Sequence, residues 1–209
     1  VDARLASYGG QVKRRYIALE GVEGAGKSTV ARLLADRLGV DGQEVVIVRE
    51  PGGTAVGEQI RRLLLHDAAI SDWTEAALFA ASRAELTREV VGPALDRGAF
   101  VLSDRTYYSS LAYQGGARGL GFDAVRDLNE RVLGGVVPDL VIVLAVDPDV
   151  GFARETDRDR IGEEGVEFQR RVAEAYGRLA ETDPKVHVVD ADRATEEVVA
   201  EIVDLVEAP

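Results

Sequence analysis

Residues 16–28 read Tyr16-Ile17-Ala18-Leu19-Glu20-Gly21-Val22-Glu23-Gly24-Ala25-Gly26-Lys27-Ser28. The opening apolar run is short and bulky and stops at glycine, which predicts a buried strand. Gly21 to Ser28 fits G-x-x-x-x-G-K-[ST] in full. Beyond it Val30, Leu33, Leu34 and Leu38 recur at helical spacing. In a strand–loop–helix setting the glycines let backbone N–H groups turn inward around phosphate oxygens, and the helix adds its N-terminal donors. Lys27 can bridge β- and γ-phosphates, and Ser28 can ligate Mg²⁺ through its hydroxyl. A chance match among 22 glycines is the alternative, and the flanking strand and helix argue against it.

Outward from this stretch, strands alternate with helices. Strands are expected at 44–49, with Val45 to Val48 buried on both faces, and at 99–104, 139–146 and 186–190. Helical patterns occupy 56–65, 74–96, 123–134, 165–182 and 196–206, and the polar, glycine-rich 114–119 reads as irregular. The alternation predicts an α/β fold with a parallel sheet and helices on both faces. No repeat or low-complexity linker divides the chain, so 15–209 is read as one domain. Residues 1–14 show no period and no apolar signal core and read as a mobile leader; a cytoplasmic location follows by default.

The 209 residues are enough for a substantial core. With 37 acidic against 25 basic residues, the formal net charge of −12 argues against nucleic acid and anionic membranes as partners. There is no cysteine and there are two histidines, so thiolate and histidine-rich metal centres are excluded. No apolar run is long enough to span a membrane.

A cradle alone does not separate a kinase from a GTPase or motor ATPase. No guanine-reading N/T-K-x-D segment is present, and no apolar strand ends in Asp-Glu. The 99–104 strand ends in Asp104-Arg105 instead, an acid able to hold Mg²⁺ through water beside a bidentate phosphate ligand. Phe79 and Arg83, four apart on one helix face, suit a flat pyrimidine, one stacking and one donating to a ring carbonyl. Spacing alone favours a core Phe79 and a solvated Arg83.

Five ordered segments together resemble the bacterial thymidylate kinase family. They are the cradle, Arg49-Glu-Pro-Gly-Gly-Thr54, Gly57-Glu-Gln-Ile-Arg61, Asp104-Arg105 with Ser109-Ser-Leu-Ala-Tyr-Gln-Gly115, and Asp159-Arg-Ile161. The likeness extends over about 15–206. It implies a three-layer P-loop kinase fold: a five-stranded parallel sheet, helices on both faces, and an Arg-bearing lid at about 154–164. The implied activity is transfer of the γ-phosphate of ATP to dTMP, with Mg²⁺, in a homodimer. The resemblance assigns Gly21 to Ser28, with Thr29, to ATP. It assigns Arg61 and Arg105 to the dTMP phosphate, Phe79 and Arg83 to thymine, and Ser109, Ser110 and Gln114 to the pyrimidine side. Tyr113 would lie under the deoxyribose, or pack in the core; Glu23 would approach the 3′-hydroxyl or the metal. Pro51 and Gly52 would shape the acceptor loop, and Tyr176 would stand near the acceptor sugar or metal.

Transfer from one phosphate to another needs no general base, because the attacking oxygen is already ionised. It needs positive charge around the moving phosphoryl group. Lys27 and Arg105 supply part of it, and the run Arg154-Glu-Thr-Asp-Arg158-Asp-Arg160 the rest, with Arg158 and Arg160 ahead of Arg154. A local positive basin is therefore expected within an acidic shell. Kinases of dUMP, dCMP or a deoxynucleoside, and a non-catalytic nucleotide-binding protein, are the rival readings.

Overall fold

The structure, a computed structural model, describes residues 15–66, 70–155 and 158–208. The leader, residues 1–14, lies outside the described residues. Five strands form one parallel sheet: β1 (Tyr16–Glu20), β2 (Val45–Arg49), β3 (Phe100–Asp104), β4 (Leu140–Ala145) and β5 (Val186–Asp190), in the order β2-β3-β1-β4-β5. The chain leaves β1 toward one edge and crosses to the other after β3. The crevice beyond the carboxyl ends of β1 and β3 is thus the topological switch point where ligands bind in such sheets.

Between the strands run α1 (Lys27–Leu38), α2 (Ala55–His66), α3 (Asp72–Leu86), α4 (Gly92–Asp96), α5 (Tyr107–Ser110), α6 (Phe122–Leu133), α7 (Pro148–Arg154), α8 (Val166–Thr182) and α9 (Thr195–Glu207). They cover both faces. Ile17 and Leu19 of β1 join a large cluster with Leu34, Leu64, Leu111, Phe168 and Ile202, while Tyr16 joins Leu86, Val91 and Val101 in a smaller one. Opposite side-chain directions along one central strand thus feed two cores.

Three expectations are corrected. β2 is an edge strand and is not buried on both faces: Ile47 is 48% exposed and only Val48 is buried. The helical pattern over 74–96 is found, running without a break through 72–96. A wide π-type turn over Thr87–Val91 joins α3 to α4, with Gly92 N–H reaching the Thr87 carbonyl. Pro93, lacking an N–H, cannot continue the regular ladder across it. The glycine-rich 114–119 is helical as far as Ala117, a π-type turn over Leu111–Ala117 continuing α5. Its glycines permit close packing rather than a reversal: a Cβ on Gly116 would lie 2.5 Å from Ala175 Cβ of α8. Finally, α7 has no counterpart among the expected helices. Its signal is Asp147-Pro148, an N-cap acid that accepts from Asp149 N–H, followed by proline at the first helical position.

Candidate active site

The cradle lies between β1 and α1. Gly21, Gly24 and Gly26 have φ of 137°, 70° and 87°, a backbone that side-chain-bearing residues resist. Gly24 is also forced by contact, because a Cβ there would meet the Gly151 carbonyl of α7 at 2.1 Å. Lys27 Nζ donates to the Val22 carbonyl (2.8 Å) and the Gly21 carbonyl (3.3 Å). One residue on, Ser28 Oγ donates to Asp104 Oδ2 at 2.6 Å, so β3 brings its terminal carboxylate onto the hydroxyl.

Arg105 is a non-glycine residue at positive φ, 74°. That turn is held from below by Glu20, which is fully buried. Glu20 Oε1 accepts from Thr106 N–H and Oγ1, both at 2.7 Å, and Oε2 from Ser109 Oγ (2.5 Å) and Tyr176 OH (2.7 Å). So aimed, Arg105 Nη2 donates to Glu23 Oε1 (2.8 Å) and Tyr113 OH (3.1 Å), and Nη1 to Ser109 Oγ (3.1 Å). Burial raises the Glu23 carboxyl, but Arg105, Lys27 and the bonds from Tyr113 and Arg105 outweigh it and hold Glu23 below the usual range.

These groups open onto a cavity of about 480 Å³, the size of a small-molecule site. The cradle residues Glu23, Gly24, Gly26, Lys27, Ser28 and Thr29 line it with Asp104. Pro51, Arg61, Phe79, Arg105, Ser109, Ser110, Tyr113 and Gln114 line it as well. One enclosure therefore joins a phosphate cradle to an aromatic, arginine and amide wall.

Comparison with known proteins places the chain in a family. The thymidylate kinase family model matches residues 19–202. A protein of Halothermothrix orenii named thymidylate kinase is 46% identical over 194 residues, covering 90% of this chain and 93% of its own. Namesakes from Synechococcus (44% over 193 residues; 92% and 94%) and Deinococcus radiodurans (44% over 192; 90% and 93%) are similar to the same extent. The chain belongs to the thymidylate kinase family.

Several residues that the thymidylate kinase resemblance assigns stand elsewhere. Arg83 does not line the cavity; it is 2% exposed. Its Nε donates to Glu50 Oε2 (2.5 Å), Nη1 to Asn129 Oδ1 (2.5 Å) and Ser110 Oγ (3.2 Å), and Nη2 to the Thr106 carbonyl (3.1 Å). It is not a solvated charge but the hub of a buried polar network. Tyr176 is likewise buried against Glu20 and Ser109. Gly21, Val22 and Ala25 shape the cradle from behind.

The three arginines of the 154–164 run stand apart from one another. Arg154 lines the cavity and pairs with Asp192 at 3.2 Å. Arg158 lies over the Phe152 ring, 3.8 Å from its centre, with Nη2 on the Phe152 carbonyl. Arg160 turns to Glu75 (2.6 Å) and the Leu64 carbonyl (2.8 Å). The positive basin is also not found: Glu23, Glu50, Asp104, Glu155 and Asp159 line the cavity together with Lys27, Arg49, Arg61, Arg105 and Arg154. Of these, Arg49, Glu50, Glu155 and Asp159 had no role in the sequence reading. Arg49 was detectable, since it ends β2 at the binding edge of the sheet.

Burial pulls the Lys27 ammonium down to about 8 from 10.5, with Arg105 adding to the fall and Glu23 opposing it. If Lys27 must be charged, kcat/KM falls as pH rises through about 8 rather than near 10.5. Bound phosphates favour the ammonium, so the limb of kcat lies at higher pH than that of kcat/KM. A pH–rate profile of both parameters tests this, and coincident limbs near 10 would contradict it. The same shift makes stability rise between about 8 and 10.5, where the unfolded chain holds the proton and the folded one does not.

Proposed function

We propose that the chain transfers the γ-phosphoryl group of ATP to dTMP, forming dTDP and ADP. The observation that carries this reading is that one cavity is lined both by Lys27, Ser28 and Asp104 and by Arg61, Phe79, Arg105 and Gln114. Donor and acceptor phosphates are thereby brought into one enclosure, and positioning is most of what phosphoryl transfer requires.

A dTMP phosphate oxygen attacks the γ-phosphorus, a new P–O bond forms, and the bond to the β-phosphate oxygen breaks, leaving ADP. The cradle N–H groups and Lys27 hold the ATP phosphates and stabilise charge on the leaving oxygen. Arg105 and Arg61 hold the acceptor phosphate, and Arg105 is kept in place by Glu23 and Ser109. Phe79 offers the ring face on which thymine stacks, while Ser110 and Gln114 provide polar contacts beside it. Tyr113, buried and bonded to Arg105, closes the sugar side. Arg154 is the arginine of its run best placed to reach phosphate.

Ser28 Oγ and Asp104 Oδ2, 2.6 Å apart in the cavity wall, are hard oxygen donors of the kind Mg²⁺ takes. They would hold it, the hydroxyl directly and the carboxylate through water. Bound there, Mg²⁺ would neutralise charge on the phosphates.

A homodimer belongs to this proposal. Val56 and Leu63, seven residues apart on one stripe of α2, and Trp73 at the start of α3 are 48%, 46% and 50% exposed, an apolar surface suited to a second copy. A cytoplasmic location belongs to it too, since both substrates must be drawn from metabolite pools. No helix among the described residues is long and apolar enough to cross a membrane.

Coupled ADP release across dTMP, dUMP, dCMP and thymidine is the test. The expected result is the highest kcat/KM with dTMP and none with thymidine, which lacks the acceptor phosphate. ATP binding without dTMP-dependent ADP release would instead favour a non-catalytic nucleotide-binding protein.

A further inference from the structure

Glu75, on α3, is 1% exposed and does not line the cavity. Three side chains converge on its carboxylate. Oε1 accepts from Gln114 Nε2 (2.9 Å) and Arg118 Nε (2.7 Å); Oε2 accepts from Arg118 Nη2 (3.0 Å) and Arg160 Nη2 (2.6 Å). Burial alone would raise this carboxyl, but the bonds from Arg118, Arg160 and Gln114 outweigh it and keep Glu75 ionised.

The partners come from different walls. Gln114 lines the acceptor side of the cavity. Arg160 sits between Asp159 and Ile161, which line its mouth. Arg160 is tied down further: its Nε donates to the Leu64 carbonyl (2.8 Å) and its N–H to the Leu65 carbonyl (3.1 Å). Asp159 Oδ1 accepts from Ile161 and Gly162 N–H, both at 3.0 Å, which makes this short segment one turn. Arg118 Nη1 adds a bond to Glu164 Oε1 at 2.8 Å. The charged strap 158–164 is therefore fixed to α2 through the Leu64 and Leu65 carbonyls, and to α3 and the acceptor wall through the Glu75 carboxylate.

We propose that Glu75 is a positioning residue that fastens the strap to the acceptor wall, so that the grip of Gln114 on the acceptor base and the stance of Asp159 and Ile161 at the cavity mouth are set together. The kinetic half of this proposal rests on the dTMP kinase reading; the fastening itself does not.

Two variants separate its parts. Glu75→Gln keeps the side-chain shape and removes the charge that both arginines share. Arg160→Met keeps the stem and cuts only the strap side. Hydrogen exchange of the protein alone should quicken over 158–164 by about tenfold in both variants, with β1 and β3 unchanged. Glu75→Gln should lower kcat by about tenfold and raise the dTMP KM several-fold, with the ATP KM within about twofold. Arg160→Met should lower kcat but leave the dTMP KM, because Gln114 keeps its partner.

Unchanged exchange over 158–164 in either variant would overturn the fastening. Faster exchange with kcat and dTMP KM both within about twofold would overturn the coupling. If Glu75→Gln does not fold, Arg160→Met decides the fastening, and Glu75→Asp, which keeps the charge but draws it back from its partners, takes its place for the coupling. Absence of dTMP-dependent ADP release by the unaltered protein would remove the proposed function and the coupling with it, while the exchange measurement still decides the fastening.

Discussion

Lys27→Ala should lower kcat by at least ~10²–10³-fold, the usual scale for losing one preorganised electrostatic contact to a transition state, and should leave the fold intact. The asymmetry follows from how Lys27 is held. It is 8% exposed, yet its own bonds run only to the Gly21 and Val22 carbonyls, and no ion pair within 4 Å supports it among the described residues. Folding already works against its charge, as the fall to about 8 records. Truncation relieves that cost, and the Gly21 carbonyl it leaves keeps its bond from Arg105 Nη1 at 3.0 Å. Lys27→Arg should not restore turnover, because a planar fork cannot replace a compact charge on a flexible stem. ADP release and thermal melting, measured on the same preparation, give the two readings. Turnover within tenfold of the unaltered protein would remove Lys27 from the mechanism.

The cradle was legible in the sequence because everything that defines it is local. Eight residues set the backbone, and the strand before and helix after are readable from their own periods. The other four strands were legible for the same reason. Which of them forms an edge was not, because Val45 to Val48 carries the apolar run of a doubly covered strand and the exposure of Ile47 depends on what the rest of the chain leaves uncovered. The glycines at 115 and 116 were misread by a related route. A glycine looks the same in sequence whether it frees the backbone or makes room for a neighbour, and Gly116 makes room for Ala175.

The site divides along the same line. Short side chains and those anchored near a strand end stand where their segments put them: Ser28, Asp104, Arg105, Ser109 and Gln114 all line the cavity. Arginines with long stems do not reveal their targets. Arg158 and Arg160 lie two residues apart and point to Phe152 and to Glu75. Arg83 shares a helix face with Phe79, which lines the cavity, but its guanidinium reaches Glu50, Ser110 and Asn129, contacts up to 46 residues away in the chain. The expected positive basin failed for want of the acids: the sum of charges says nothing about Glu50, Glu155 and Asp159 lining the cavity with the arginines.

Arg83→Ala should therefore act first on stability, and on acceptor binding through it. The substitution leaves Glu50 buried without its partner and strips Asn129 Oδ1, Ser110 Oγ and the Thr106 carbonyl of a donor. Breaking a buried pair from one side costs about 3–5 kcal/mol, which for a chain of this size lowers Tm by roughly 6–20 °C. Glu50→Gln added to Arg83→Ala should recover part of the loss, since no unpaired charge then remains inside. The deficit should also grow with pH. Burial, with a smaller contribution from Glu20, pushes the Glu50 carboxyl up to about 7 even against Arg83. A carboxyl raised on folding loses stability as pH climbs from its unfolded value through its folded one. Without Arg83 the folded value moves higher still, so the loss continues past 7 where in the unaltered protein it levels off. Melting curves at pH 6 and pH 8 test this directly: the gap between variant and unaltered protein should be wider at pH 8. Weakened dTMP binding then follows because Glu50 and Ser110, both in the cavity wall, lose the group that holds them. A variant that melts within about 2 °C of the unaltered protein at both pH values, while losing dTMP affinity, would return Arg83 to the role of a direct base contact.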